Sequence, residues 1–256
     1  AADHAALREY QRRMQRFATV IARQHGRIPP RLAPGNWRGA INAALLAFDI
    51  RRLGRRDMRE FLRVATMNIF DVLEDNFENS QLKGALALEG VLGTQLGPRS
   101  GHTVFNSLHR HSGNSGAGVY SLPRGGMGAV TESIAAAARA AGAHFRVSSP
   151  VASLLLAGDR VSGVRLESGE ELPADVVISN ADPRTTLLKL LGARHLEAEF
   201  ARRVHHLRMK GNAAKLHLAL SGLPRFRAVA ADQLGERLVI APDLEYIERA
   251  FNPAKY

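Results

Sequence analysis

Apolar residues recur at helical spacing almost from the first position. Leu7, Tyr10, Met14, Phe17 and Ile21 lie three or four apart and mark one face of a helix. Similar sets in residues 41–53, 61–73 and 82–92 suit further packed helices, with breaks at Ile28-Pro29-Pro30, Pro34-Gly35, Gly54 and Gly97-Pro98. Residues 1–122 therefore read as mostly helical.

The pattern changes at Pro123-Arg124-Gly125-Gly126-Met127-Gly128, where three glycines predict a tight turn. A helix is expected over 129–141, with Val130, Ile134, Ala137, Ala138 and Ala141 on its apolar side and Gly142 as a left-handed C-cap. Phe145 and Val147 then alternate with polar residues. The run Val151 to Leu156 predicts a strand buried on both sides, and Val161, Val164 and Leu166 a second with an irregularity at Gly163. After a turn at Ser168-Gly169, Val176-Val177-Ile178 is expected to re-enter the core as a strand ending in Ser179-Asn180-Ala181-Asp182-Pro183. Turn, helix, strand, meander and strand, in that order, point to a nucleotide-cofactor fold. Beyond them, 185–191 and 196–207 look helical, while alternation at Ala214, Leu216, Leu218 and Leu220 and the run 237–241 predict two more strands.

Composition narrows the chemistry. A chain of 256 residues, 45% hydrophobic, can bury a sizeable core in one large domain or two smaller ones. Cysteine is absent, which excludes a disulfide framework, a cysteine metal site and a thiol nucleophile within this sequence. No apolar run approaches the roughly 18 residues that suggest a membrane-spanning helix, and no signal-peptide pattern opens the chain. A soluble protein is expected, cytoplasmic, or in the mitochondrial matrix if the source is eukaryotic.

The net charge of +11 is uneven: residues 1–63 hold 14 Arg against Asp3, Glu9, Asp49, Asp57 and Glu60. Such a surface attracts phosphates. The arginines are nevertheless spread through helices and turns with few interleaved aromatics and no nucleic-acid motif, so a solvated Arg-rich face is expected and nucleic acid is not. Contact with a membrane surface stays open.

The histidines cluster as His102, His109 and His111, and as His205 and His206, without the cysteine or paired carboxylate pattern of a metal site; no metal is expected. Asp71, Glu74, Asp75 and Glu78 share a helical face and read as an acidic stripe meeting the abundant arginine. Neither a nucleophile elbow, a phosphate loop nor a zinc-protease motif occurs. Gly116-Ala117-Gly118 with Ser121, and Gly126-Met127-Gly128 with Thr131, fail the dinucleotide fingerprint for want of a third glycine and a preceding strand.

The words Arg52-Leu53-Gly54-Arg55-Arg56-Asp57-Met58, Gly90-Val91-Leu92-Gly93-Thr94, Leu96-Gly97-Pro98-Arg99-Ser100, Pro123 to Gly128, Ser179 to Pro183, Ile240-Ala241-Pro242 and Tyr246-Ile247-Glu248-Arg249-Ala250 are each short. In this order, across nearly the whole chain, they resemble the phytoene desaturase-like FAD-dependent oxidoreductases. The resemblance implies a mixed α/β (α+β) architecture: part of a glutathione-reductase-like FAD-binding domain, interleaved with a largely helical substrate domain that carries a small sheet. On this reading residues 1–122 are substrate domain, 123–183 an FAD-domain segment and 184–256 substrate domain again. The chain would be a middle segment, without the terminal FAD-binding parts of the family. The cofactor implied is FAD, the substrate a largely apolar small molecule whose hydride passes to flavin, and the electron acceptor is open. Implied cofactor contacts are the main chain of Val151 with the adenine edge, Ser179, Asn180 and Ala181 after the returning strand, and Gly125, Gly126 and Met127 in the turn facing the flavin region. Catalytic residues are not assigned, because flavin chemistry obliges no protein acid or base. The segment alone is expected to be inactive. The alternative is a non-catalytic interaction protein on a flavoprotein scaffold, using its Arg-rich face for an anionic partner.

Overall fold

A computed structural model describes residues 2–30, 36–113, 123–227, 229–230, 233–235 and 237–255; the expected break at Pro34-Gly35 and the near-match at Gly116-Ala117-Gly118 lie outside them. Contacts divide the chain into two compact units, residues 1–120 with 210–256, and residues 121–209.

The first unit is helical: α1 (Ala2–Gln24), α2 (Trp37–Arg51), α3 (Arg55–Val64), α4 (Ile69–Asn76), α5 (Ser80–Val91) and α6 (Thr103–Ser112), joined by α9 (Leu244–Phe251) near the end of the chain. The expected apolar face of α1 is the centre of its core. Tyr10, Met14, Phe17 and Ile21 are buried, with Phe17 edge-on to Phe61 and Tyr10 edge-on to Phe77 at centroid separations of 5.4 and 5.3 Å. Ile69, Leu73, Val104 and Leu108 complete the packing.

Where one helix was expected over 61–73, there are two. The first ends at Val64, and Asn68 starts the second by accepting a hydrogen bond from the N–H of Asp71 (2.8 Å), as Asn79 does from Leu82 (2.9 Å) at the start of α5. The acidic stripe is spent on structure: Asp71 sits in that first turn, Glu74 takes Lys83 at 2.8 Å and Asp75 lies 4.0 Å from Arg63.

Deep in this unit the Thr103 hydroxyl accepts the N–H of Ile69 (2.7 Å) and donates to the carbonyl of Ser100 (2.9 Å), which locks the start of α6 to the start of α4. The Ile69 N–H is buried and the Ser100 carbonyl half-buried, so Thr103→Val should strand the first and lower stability by about 1 kcal/mol. Urea denaturation followed by circular dichroism measures this; an unchanged midpoint would mean that water replaces the hydroxyl.

The second unit contains α7 (Gly126–Ala140), an antiparallel sheet of β1 (Val151–Ala157), β2 (Arg160–Leu166) and β3 (Glu171–Pro173), a π-helical segment Arg184–Gly192 packed on β1, and α8 (Ala198–His205). The expected irregularity is a register shift in which Leu155 faces Gly163 and Leu156 faces Val161. Gly142, at φ +89°, ends α7 in the left-handed cap its sequence predicts.

Several expectations are corrected. β1 is half-buried rather than enclosed on both sides. Val176 and Ile178, at 76% and 92% exposure, form no strand and enter no core, and Phe145 and Val147 are likewise exposed and unpaired. Residues 213–220 and 237–241 form no strand, so among the described residues the first unit holds no sheet. In each case the side-chain pattern suits a strand, but among the described residues no neighbouring segment pairs with it in a ladder. The second compact unit runs to residue 209, because the π-helical segment rests on β1 and α8 rests on that segment.

Candidate functional site

Four of the sequence words that carry the resemblance meet at one place in the helical unit. Gly90–Thr94 at the end of α5, Leu96–Ser100, Ile240–Pro242 and α9 surround an apolar pocket of about 220 Å³, lined by Leu88, Val91, Leu96, Ile240, Tyr246 and Phe251 among others. Val91, Leu244 and Ile247 tie these walls to the core, which fixes the pocket's shape.

The loop 96–100 reaches α9 because Gly97 has no side chain: a β-carbon there would enter the Phe251 ring and come within 2.8 Å of Glu248 Oε2. Glu248 is buried, and its carboxylate accepts the N–H of Arg99 (3.1 Å) and the ammonium of Lys255 (3.0 Å). The Arg99 guanidinium lies 3.6 Å from the centroid of Phe70 and pairs with Glu245. On the α5 side, Glu89 holds Arg110 (2.9 Å) and Arg237. Burial alone would raise its pKa, but these arginines outweigh that and keep it below the usual carboxylate range. Glu89, Arg99, Glu245, Glu248 and Lys255 are thus each committed to a partner, which leaves an apolar interior suited to a hydrocarbon. Of the three apolar stretches expected to pack as helices, 82–92 contributes Leu88, Val91 and Leu92 to the pocket wall. Sequence reading missed α9 and residues 212–213 and 240–241; the one signal that could have found them is that 240–242 and 246–250 belong to the same set of words as 90–94.

The residues expected to touch cofactor all lie in the second unit. Pro123 to Gly126 form a turn, Gly126 N–H donating to the Pro123 carbonyl at 2.9 Å. Gly125 and Gly126 take φ of +84° and +78°, which explains the glycines by backbone conformation. They deliver the chain into α7, whose first turn has no side-chain cap, and leave Met127 exposed. Val151 opens β1 opposite Leu166 and is half-buried. The Ser179 hydroxyl is 2.7 Å from that of Thr186 and accepts the N–H of Ala181 at 3.3 Å; Asn180 and Ala181 are exposed. Asp182 caps the π-helical segment by accepting from the N–H of Arg184 (2.9 Å) and from the hydroxyl and N–H of Thr185 (2.5 and 3.1 Å), which lowers its pKa. The segment carrying residues 179–182 therefore continues into the helix that packs on β1, whereas no hydrogen bond among the described residues joins Gly125–Met127 to Val151 or to 179–181.

As a donor set, Val151, Ser179, Asn180 and Ala181 offer amides, carbonyls and a hydroxyl. These suit the neutral edges of a dinucleotide, and they include no cation for its diphosphate. His109 does find another histidine, His25, with ring nitrogens 3.4 Å apart; among the described residues no group of three His, Asp or Glu could hold a metal.

A family profile described as flavin containing amine oxidoreductase matches residues 9–251. Pyridine nucleotide-disulfide oxidoreductase domain-containing protein 2 from Rattus norvegicus is 33% identical over 213 residues, 82% of this chain and 36% of the relative. The Mus musculus protein of that name is 30% identical over 241 residues, 88% of this chain and 40% of the relative. The zeta-carotene-forming phytoene desaturase of Myxococcus xanthus is 31% identical over 145 residues, 56% of this chain and 26% of the relative. The chain thus spans 36% and 40% of the length of the two rodent relatives. No solved structure matches it significantly.

Proposed function

The chain belongs to the flavin containing amine oxidoreductase family, whose cofactor is FAD, and on that footing we propose that it contributes part of the site of an enzyme that oxidises a largely apolar small molecule. The observation that carries the proposal is the apolar pocket of the helical unit, walled by the same sequence words that mark the family, with its surrounding charges paired off. Its 220 Å³ is below the roughly 300–1,000 Å³ of drug-sized sites. It therefore suits one stretch of a hydrocarbon rather than a whole extended molecule. Bound FAD supplies the acceptor for hydride leaving a substrate carbon. The chain's own contribution is to hold the hydrocarbon and exclude water through Leu88, Val91, Leu96 and Phe251. On this reading Val151, Ser179, Asn180, Ala181 and the Gly125–Met127 turn contact neutral parts of the cofactor. The desaturase relative, named for forming zeta-carotene, supports an apolar substrate class.

The candidate contacts include no diphosphate cradle, so the 256-residue chain alone should lose flavin on desalting. The longest open reading frame containing it should keep flavin in stoichiometric amount and be bleached anaerobically by an apolar substrate. Visible absorbance of both proteins after desalting tests this. Equal retention by the two would refute the divided cofactor site. A flavin-free longer protein would sink the enzyme reading and favour the interaction protein.

A further inference from the structure

His109 belongs by sequence to the cluster with His102 and His111, but the fold gives it a different partner. His25, 84 residues away and just past the last turn of α1, brings its Nε2 to 3.4 Å from Nδ1 of His109 in α6, with ring centroids 5.1 Å apart and ring planes at 77°. His111 turns its own Nδ1 to the Ser107 carbonyl at 2.7 Å, and His102 lies at the opposite end of α6.

A nitrogen donor normally stands about 2.7–3.2 Å from its acceptor, so 3.4 Å is long for a hydrogen bond. It is the span of two ligands on one metal ion. Imidazole nitrogens about 2.0–2.1 Å from zinc and 3.4 Å from each other subtend about 110° at the metal, which is the tetrahedral angle.

We propose that His25 Nε2 and His109 Nδ1 bind one zinc-class divalent cation, which clips the end of α1 to α6. Phe17 and Ile21 of α1 and Val104 and Leu108 of α6 are buried in one core, so the backbones that carry both rings are set before an ion arrives, and binding need not gather them. Both imidazoles are exposed, which lets water fill the remaining positions of the tetrahedron. The hydroxyl of buried Ser112 lies 3.5 Å from His25 Nε2 and donates to the His109 carbonyl at 2.6 Å, which leaves its oxygen able to accept from such a water. The arginines adjacent in sequence are already neutralised, Arg23 and Arg27 by Asp49 and Arg110 by Glu89, so they do little to repel a cation. Two imidazoles without a carboxylate select zinc, copper or nickel over magnesium and calcium, which take oxygen ligands. The proposal rests on the helical unit alone and is independent of the flavin reading.

Zinc titrated into the full-length protein, expressed from the longest open reading frame containing this chain, should fill a site that His25→Gln and His109→Gln each weaken at least about tenfold, since losing even an outer partner of a metal ligand costs that much. His111→Gln should leave the site unchanged. Because both ligands are exposed, circular dichroism should be the same in every variant. With Cu²⁺ as the probe, pulsed electron paramagnetic resonance should count two imidazoles in the wild type and one in either ligand variant, and Mg²⁺ in large excess should displace nothing. Zinc should also slow amide hydrogen exchange at the ends of α1 and α6 together, in the wild type alone. Equal zinc affinity in the wild type and both ligand variants overturns the proposal. A loss confined to one of the two variants also overturns it, because that histidine would then bind without the other, and exchange that zinc leaves unslowed overturns the clip.

Discussion

Gly84→Ala is expected to lower folding stability by about 2 kcal/mol, read as a reduced urea midpoint with an unchanged slope. Gly84 lies on the face of α5 that meets the chain just before α9. A β-carbon there would land on the carbonyl oxygen of Ala241 and stand 3.0 Å from the Asp243 nitrogen. Both are main-chain atoms, so no side chain can rotate away. Asp243 is moreover the N-cap of α9, its carboxylate accepting the Tyr246 N–H at 2.6 Å, and moving it would loosen the wall of the apolar pocket that Tyr246 forms. Two effects oppose each other. Alanine gains about 1 kcal/mol over glycine inside a helix, while overpacking costs up to about 3 kcal/mol when the neighbour cannot yield. The clash wins. Gly128→Ala in α7, where nothing lies within 4 Å of the added carbon, isolates the propensity effect and should raise stability slightly. If both substitutions stabilise, α5 and α9 are not in the close contact described.

The same contrast between local and non-local information separates what the sequence made legible from what it did not. The apolar face of α1, the cap of α7 at Gly142, the β1–β2 hairpin and its irregularity at Gly163 are encoded within a few residues of one another, and the structure shows them where the pattern placed them. Val176–Ile178 and Leu216–Leu220 carry equally clear β patterns, yet a strand is a property of a pair. The apolar run at 176–178 and the period of two at 214–220 are present; the partner is not among the described residues. Likewise Ile41, Leu45 and Phe48 read as core because they are apolar at helical spacing, and only the fold shows that Leu46 and Ile50 already fill the inner side of α2.

For the candidate site, sequence words found the parts without their arrangement. Residues 90–94, 96–100, 240–242 and 246–250 were each visible as motifs, but their convergence on one pocket depends on Gly97 and Gly84 admitting α9 and the chain before it. Those are contacts across about 150 residues that no local pattern encodes. The turn at Gly125-Gly126 was legible because positive φ is a local demand; whether it faces a flavin is not a local question.

Asp49→Asn should cost about 2 kcal/mol at neutral pH, and the deficit should shrink in acid. Asp49 is the charged residue that α2 turns inward, its side chain 6% exposed, and its carboxylate takes Arg23 at 2.9 Å and Arg27 at 2.7 Å, with the Gln24 amide at 3.3 Å. This clamp fastens the end of α1 to α2. Burial by itself would raise the Asp49 pKa, but the hydrogen bonds and charges of Arg27 and Arg23 outweigh it and leave the folded value below the ordinary one. Breaking a buried ion pair typically costs about 3–5 kcal/mol, and the partial exposure of both arginines reduces that here. Because the folded pKa is depressed, the contribution is fully present above the unfolded value of about 3.9 and is lost as pH falls through the folded value. The urea midpoints of wild type and Asp49→Asn should therefore stand apart at neutral pH and converge below about pH 4. Glu60, lowered by its hydrogen bonds from Arg63, and Glu89 erode stability over the same range in both proteins and cancel from the difference. A gap that stays constant into acid would mean that Asp49 acts through shape rather than charge, and would remove the ion-pair clamp as the tie between the end of α1 and α2.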